Sequence, residues 1–71
     1  MIRTLAVNVL TPSQVRLRVV AVPNRREGRL DIVAYADGRP VDSGLVYTEL
    51  TDRTIREELD RWAGGLGEVV R

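Results

Sequence analysis

A chain of 71 residues has room for one domain. It contains neither cysteine nor histidine, which excludes disulfides, thiolate zinc sites, imidazole ligands and the commonest general base. The formal net charge is +1, yet residues 1–29 carry six arginines against Glu27, while residues 30–71 carry five arginines against nine acids. This polarity is the clearest electrostatic feature of the sequence.

Every basic residue is arginine, whose planar fork binds carboxylate and phosphate bidentately and stacks on flat rings. No apolar run approaches the ~20 residues that cross a bilayer. The first residues are too short and broken an apolar stretch, interrupted by Asn8, for a secretory leader. No membrane association is expected, and the lack of cysteine fits a reducing, cytoplasmic setting. Domains this small bury only about 60% of their unfolded surface, so with no disulfide or metal a partner subunit is expected, and a homodimer is the simplest form.

The predicted elements follow in chain order. The first strand spans Ile2 to Leu10, with Leu5, Val7 and Val9 on one face and Thr4, Ala6 and Asn8 on the other. Thr11 to Gln14 (TPSQ) is a connection in which Pro12 fixes φ. The second strand is VRLRVVAV, Val15 to Val22, ended by Pro23-Asn24. Its inner face is Val15, Leu17 and Val19; its outer face begins with Arg16 and Arg18 and finishes with Val20 and Val22. A basic hairpin loop follows, with Arg25, Arg26 and Arg29, and Gly28 free to take positive φ.

The third strand runs from Leu30 to Ala36, with Leu30, Ile32 and Ala34 inward and Asp31, Val33 and Tyr35 outward. Asp37-Gly38 is a two-residue turn. Pro40 then points to an edge or an irregular arm, and Gly44 to a bulge or bend before a fourth strand at Leu45–Glu49. Either Val46 or Tyr47 faces outward, depending on register.

A helix follows. Thr51 is a good N-cap, Asp52 suits the first turn, and Leu50 and Ile55 have the spacing of a hydrophobic staple. Thr54 and Glu57 offer a competing cap three residues later. Ile55, Leu59 and Trp62 form the apolar stripe, Glu57 and Arg61 have the i,i+4 order of an ion pair, and Gly64-Gly65 ends the helix. Residues 66–71 fit a turn, a helix end or a short strand equally. The expected fold is therefore α+β: a four-stranded antiparallel β-meander with one C-terminal helix packed on one face. Its core would be Leu5, Val7, Val9, Val15, Leu17, Val19, Leu30, Ile32, Ala34, Ile55, Leu59 and Trp62.

No residue pattern points to catalysis, a metal or a cofactor. Ser13 and Ser43 have no base beside them, and Asp31 and Glu49 read as solvated strand carboxylates rather than an acid/base pair. The glycines of GGLG (Gly64 to Gly67) follow a helix instead of preceding one, so they cradle no phosphate, and DGRPVD (Asp37 to Asp42) lacks the remaining ligands of a calcium loop. Surfaces are more informative. One helix covers one sheet face, which leaves the other with Arg16, Arg18, Val20, Val22, Val33 and Tyr35.

Arginines beside aromatic rings on an open sheet suit single-stranded DNA or RNA, with Arg16, Arg18, Arg25, Arg26 and Arg29 on phosphates and Tyr35 and Tyr47 stacking on bases. Val20, Val22 and Val33 would form the subunit or partner interface. The alternative is a protein-interaction module, such as a phage inhibitor, accessory subunit or assembly factor, that docks a protein partner on the same face.

Gly28, Arg29, Leu30, Asp31, Ile32, Tyr35, Gly44, Leu50 and the helix from Thr51 follow a pattern that resembles the positive-cofactor-four type of transcriptional coactivator and its bacterial relatives. That resemblance covers the last 45 or so residues. It implies a curved four-stranded antiparallel sheet plus a helix, a dimer, single-stranded DNA binding and a role in transcription regulation. Two positions depart from the family: Asp42-Ser43 stand in place of a basic pair, and Ile55 in place of an aromatic.

Overall fold

The computed structural model describes residues 5–70. Four strands form a meander, β1 (Leu5–Leu10), β2 (Arg16–Asn24), β3 (Arg29–Ala36) and β4 (Arg39–Tyr47), followed by helix α1 (Asp52–Gly64) and a short β5 (Glu68–Val70). The sheet order is β4-β3-β2-β1-β5, and every neighbouring pair is antiparallel. The α+β class and the meander are as expected; the fifth strand is an addition. Ile2 to Thr4 of the predicted first strand lie outside the described residues.

The turns follow their local chemistry. Asp37 and Gly38 both have positive φ, at 51° and 77°, between the paired Ala36 and Arg39, the geometry a two-residue hairpin needs to match strand twist. Thr11 closes the first turn, its N–H donating to the Val15 carbonyl and its hydroxyl accepting from the Val15 N–H. Val15 therefore belongs to this turn and is 45% exposed. Its expected core place is corrected: it has the phase of Leu17, but it lies beyond the last pair, Leu10 with Arg16.

Alternation persists further along β2 than expected. Leu17, Val19, Ala21 and Pro23 are all buried, and Pro23 pairs with Leu30, so the proline lies within β2 instead of ending it.

The buried core is Val9, Leu17, Val19, Ala21, Leu30, Ile32, Ala34, Ile55, Leu59 and Ala63, with Leu5, Val7, Val46, Leu50, Trp62 and Val69 packed partly against it. The Thr51 side chain caps α1 by accepting from the Thr54 N–H, and the Thr54 side chain returns the contact, completing a capping box. This settles the start of the helix at the first of its two candidate caps. The expected Glu57–Arg61 pair does not form: Glu57 meets Arg53 at 3.1 Å and Arg61 meets Glu58 at 3.1 Å.

Thirteen helical residues span about 20 Å, close to the length of six-residue β1 at about 20 Å. The helix lies along β1, with β2 and β5 flanking its contacts, and the chain re-emerges where Glu68 pairs with Leu10. Gly67 makes that approach possible, because a Cβ there would overlap the Leu10 carbonyl.

The structure corrects the reading of β4. Strand pairing begins at Arg39, and an edge strand can carry Pro40 without breaking the central ladder. The irregularity falls between Ala34 and Tyr35 on β3, where Val41 is the extra residue on β4. Gly44 is in regular register opposite Ile32. Its role is to admit Trp62, since a Cβ would lie 2.7 Å from the indole Nε1.

Gly44→Ala is expected to push the indole outward and cost about 1–3 kcal/mol, the usual range for overpacking. Trp62 is the only tryptophan, so urea unfolding followed by its fluorescence reads both effects: a lower midpoint and a red-shifted native emission. An unchanged emission maximum would disprove this role for Gly44.

Candidate nucleic-acid interface

The pairing register sorts the strand residues onto two faces. Leu30 opposite Val46, and Ile32 opposite both Ala21 and Gly44, lie toward the helix. The open face carries Leu10, Asn8 and Ala6 from β1; Arg16, Arg18, Val20, Val22 and Asn24 from β2; Arg29, Asp31, Val33 and Tyr35 from β3; and Ser43, Leu45 and Tyr47 from β4. The choice left open at β4 is thereby settled: Tyr47 faces outward and Val46 inward.

Three residues form a continuous cross-strand row, Asn8 opposite Arg18 and Arg18 opposite Tyr35. Arg16 follows Arg18 on the same face. Asn8, Arg16, Arg18, Val20, Tyr35 and Asp37 line a groove of about 330 Å³. Directly opposite residues have side chains within reach of one another, so a base stacked on the Tyr35 ring would have the Arg18 guanidinium beside its phosphate.

The arginines do not gather into one patch. Nine residues of β2 span about 30 Å at ~3.3 Å each, so Arg16 and Arg18 lie at one end of the sheet. Arg25 and Arg26, in the loop beyond Asn24, lie at the other. The basic loop therefore adjoins Asn24 and Arg29, away from Arg16 and Arg18, so the five arginines expected on phosphates are divided between two ends of the sheet. Arg29 is at the loop end as well, and its Nε donates to Asp31 at 2.9 Å. The Tyr47 side chain first, and the Asp31 carboxylate after it, raise the Arg29 pKa, with partial burial opposing them. Arg29 is thus permanently charged but already engaged by Asp31.

Between the two ends lies an apolar strip. Val20 is opposite Val33, and the next row is Val22, Asp31 and Leu45. Val22 is 41% exposed and Leu45 56%. Leu45 and Asn8 were not among the sequence-based candidates. Leu45 becomes visible only when the β4 register is known, and Asn8 only when β1 is paired with β2.

A second groove, of about 530 Å³, lies between β4 and the end of α1 and includes Val46, Glu58, Arg61 and Trp62. Its charges are of mixed sign and Glu58 and Arg61 pair with each other, so it presents no uniform field to an anion. Among the described residues, no group of three or more His, Cys, Asp or Glu is placed to hold a metal ion. No helix of the described residues is long and apolar enough to cross a membrane. No family model, curated protein or solved structure matches the chain.

Proposed function

We propose that this chain is a small non-enzymatic binding domain that takes single-stranded nucleic acid along the open face of its sheet. The observation that carries the reading is the cross-strand row Asn8, Arg18 and Tyr35 with Arg16 beside it, around one groove. Arginine neutralises phosphate, the tyrosine ring gives any base a stacking platform, and Asn8 adds amide donors and an acceptor. Val20 and Val33 supply an apolar floor next to that platform, and Arg25 and Arg26 lie where a strand following β2 would leave the sheet.

The resemblance to positive-cofactor-four coactivators supports the same reading, and a role in transcription regulation would follow from it. Of the two departures, Ile55 is buried in the core. In the Asp42-Ser43 pair, Asp42 is opposite Ala34 on the helix side, while Ser43 is on the open face opposite Val33, one row from Tyr35.

The test is a titration of fluorescent single-stranded DNA and RNA oligonucleotides, read by anisotropy over a salt series. Binding is expected to weaken with a log–log slope of about −0.7 per phosphate contact. Duplexes of the same sequence are expected to bind more weakly, because paired bases are not free to stack on Tyr35. No anisotropy change at low salt would rule the reading out.

The exposure of Val22 and Leu45 favours a second reading, a protein partner on the same face. In that case co-purification of a protein would survive nuclease treatment, whereas a partner held through nucleic acid would be lost.

A further inference from the structure

We propose that β4 is a dimerisation edge, on which a second copy of this chain adds its own β4 antiparallel about a two-fold axis at Leu45. This inference is independent of nucleic-acid binding and concerns the rim of the sheet, not its open face.

The two edges of the sheet differ. β5 is three residues long and pairs with Asn8–Leu10 only, leaving Leu5–Val7 of β1 as the rest of that edge, whereas β4 is a continuous edge of nine. Helix α1 lies mainly over β1, β2 and β5 and reaches β4 through Trp62 at Gly44. Long edges in soluble proteins are usually guarded by prolines, bulges or charges, because a row of unpaired backbone groups templates another strand. β4 has such guards in its first half only: Pro40, the bulge at Val41, and Asp42. Its second half, Ser43 to Tyr47, contains no charge, no proline and no bulge. Three of the six exposed large hydrophobics of the described residues lie on this one strand: Val41, Leu45 and Tyr47, the last 71% exposed.

The segment is self-complementary, and this selects a second copy over a foreign strand. With the axis at Leu45, Leu45 meets its own counterpart once, while Ser43 meets Tyr47 and Gly44 meets Val46, these two pairs each occurring twice. On the helix side, Gly44, whose side-chain space is taken by the Trp62 indole, is opposite Val46, so that the second copy's valine would meet the edge of that ring. On the open side, a hydroxyl faces a phenol and the two leucines join the Val22 rows of both copies. No charged residue lies within the paired segment, so no like charges are opposed. The result would be a continuous ten-stranded sheet with both helices on one side.

The natural absence of cysteine makes the test clean. Light scattering on the nucleic-acid-free protein is expected to give twice the chain mass. Leu45→Cys is expected to form a covalent dimer under mild oxidation, since opposite residues of an antiparallel pair lie about 4.5–5.5 Å apart at Cα, within disulfide range. Val22→Cys, on the open face away from the axis, is expected to remain uncrosslinked. Leu45→Lys is expected to give the monomer mass with an unchanged circular dichroism spectrum.

A monomer mass at every concentration would overturn the proposal. So would a dimer that crosslinks through Val22→Cys in preference to Leu45→Cys, which would mean that the open faces stack. Because no nucleic acid is present, these outcomes do not depend on whether the binding reading holds.

Discussion

Reversing charge at both Arg16 and Arg18, as Arg16→Glu with Arg18→Glu, is expected to weaken single-stranded nucleic-acid binding on the order of 100-fold at low salt. Each arginine that neutralises a phosphate contributes about −0.7 to the salt slope, so losing two should flatten it by about 1.4. The flattening identifies the contact, because a misfolded protein would lose affinity without this defined change in slope. Both side chains are exposed, and substitutions at exposed sites away from special features usually alter stability by no more than ~0.5 kcal/mol.

Two comparisons sharpen the result. Arg53→Glu with Arg56→Glu changes net charge equally, but on the exposed side of α1. If that pair weakens binding as much as the first, the protein is acting only through its overall field and the row on the open face has no special part. Tyr35→Ala should cost about 1–3 kcal/mol, the value of one stacked base, with the salt slope unchanged. The contrast follows from the register: Arg18 and Tyr35 are direct cross-strand neighbours, yet one contributes charge and the other a ring face. An effect of Tyr35→Ala on slope rather than on intercept would contradict this division.

Much of the fold was legible because local chemistry and tertiary demand agreed. Asp37-Gly38 is a turn in sequence and in structure, Thr51 is a cap in both, and the alternation of β3 places the same residues inward. Three features were hidden for physical reasons. Val15 continues the phase of Leu17, and periodicity does not reveal where a turn lifts the chain off the sheet.

Ala21 and Ala63 are core residues whose small side chains give weak hydrophobic patterning, although close approach of helix and sheet requires them. Gly44 looks like backbone irregularity because strand glycines often are, whereas its partner, Trp62, lies 18 positions away and becomes its neighbour only in three dimensions. The candidate site was half legible. The face of Arg16, Arg18 and Tyr35 followed from period two alone, but only strand order shows that Arg25 and Arg26 are at the other end, and only the β4 register puts Leu45 in the same row as Val22, across Asp31.

The second large effect is expected from Leu59→Ala. Leu59 is 1% exposed and is among the largest fully buried side chains. It is flanked one turn away on either side by Ile55 and Ala63, the other buried residues of α1. Among the described residues a single helix provides the cover for this sheet face, so no second described element can shift to fill the space. Leucine-to-alanine changes in cores cost about 2–5 kcal/mol, the larger values where the cavity cannot collapse.

A domain of this length has roughly 4–11 kcal/mol in all, at about 0.05–0.15 kcal/mol per residue. The loss is therefore a large share of the total. At about 4–8 °C per kcal/mol for domains of this size, the thermal midpoint should fall by more than about 8 °C. Exposed Arg56→Ala, on the same helix, should stay within ~0.5 kcal/mol.

A midpoint for Leu59→Ala close to that of Arg56→Ala would mean that α1 does not seal the core as described. If the helix and the open face divide the work of folding and binding, Leu59→Ala should still bind single strands with the parent salt slope at temperatures where it remains folded. Its apparent affinity would fall only by the fraction unfolded. A changed slope in the folded variant would show instead that the position of the arginine row depends on how α1 packs behind it.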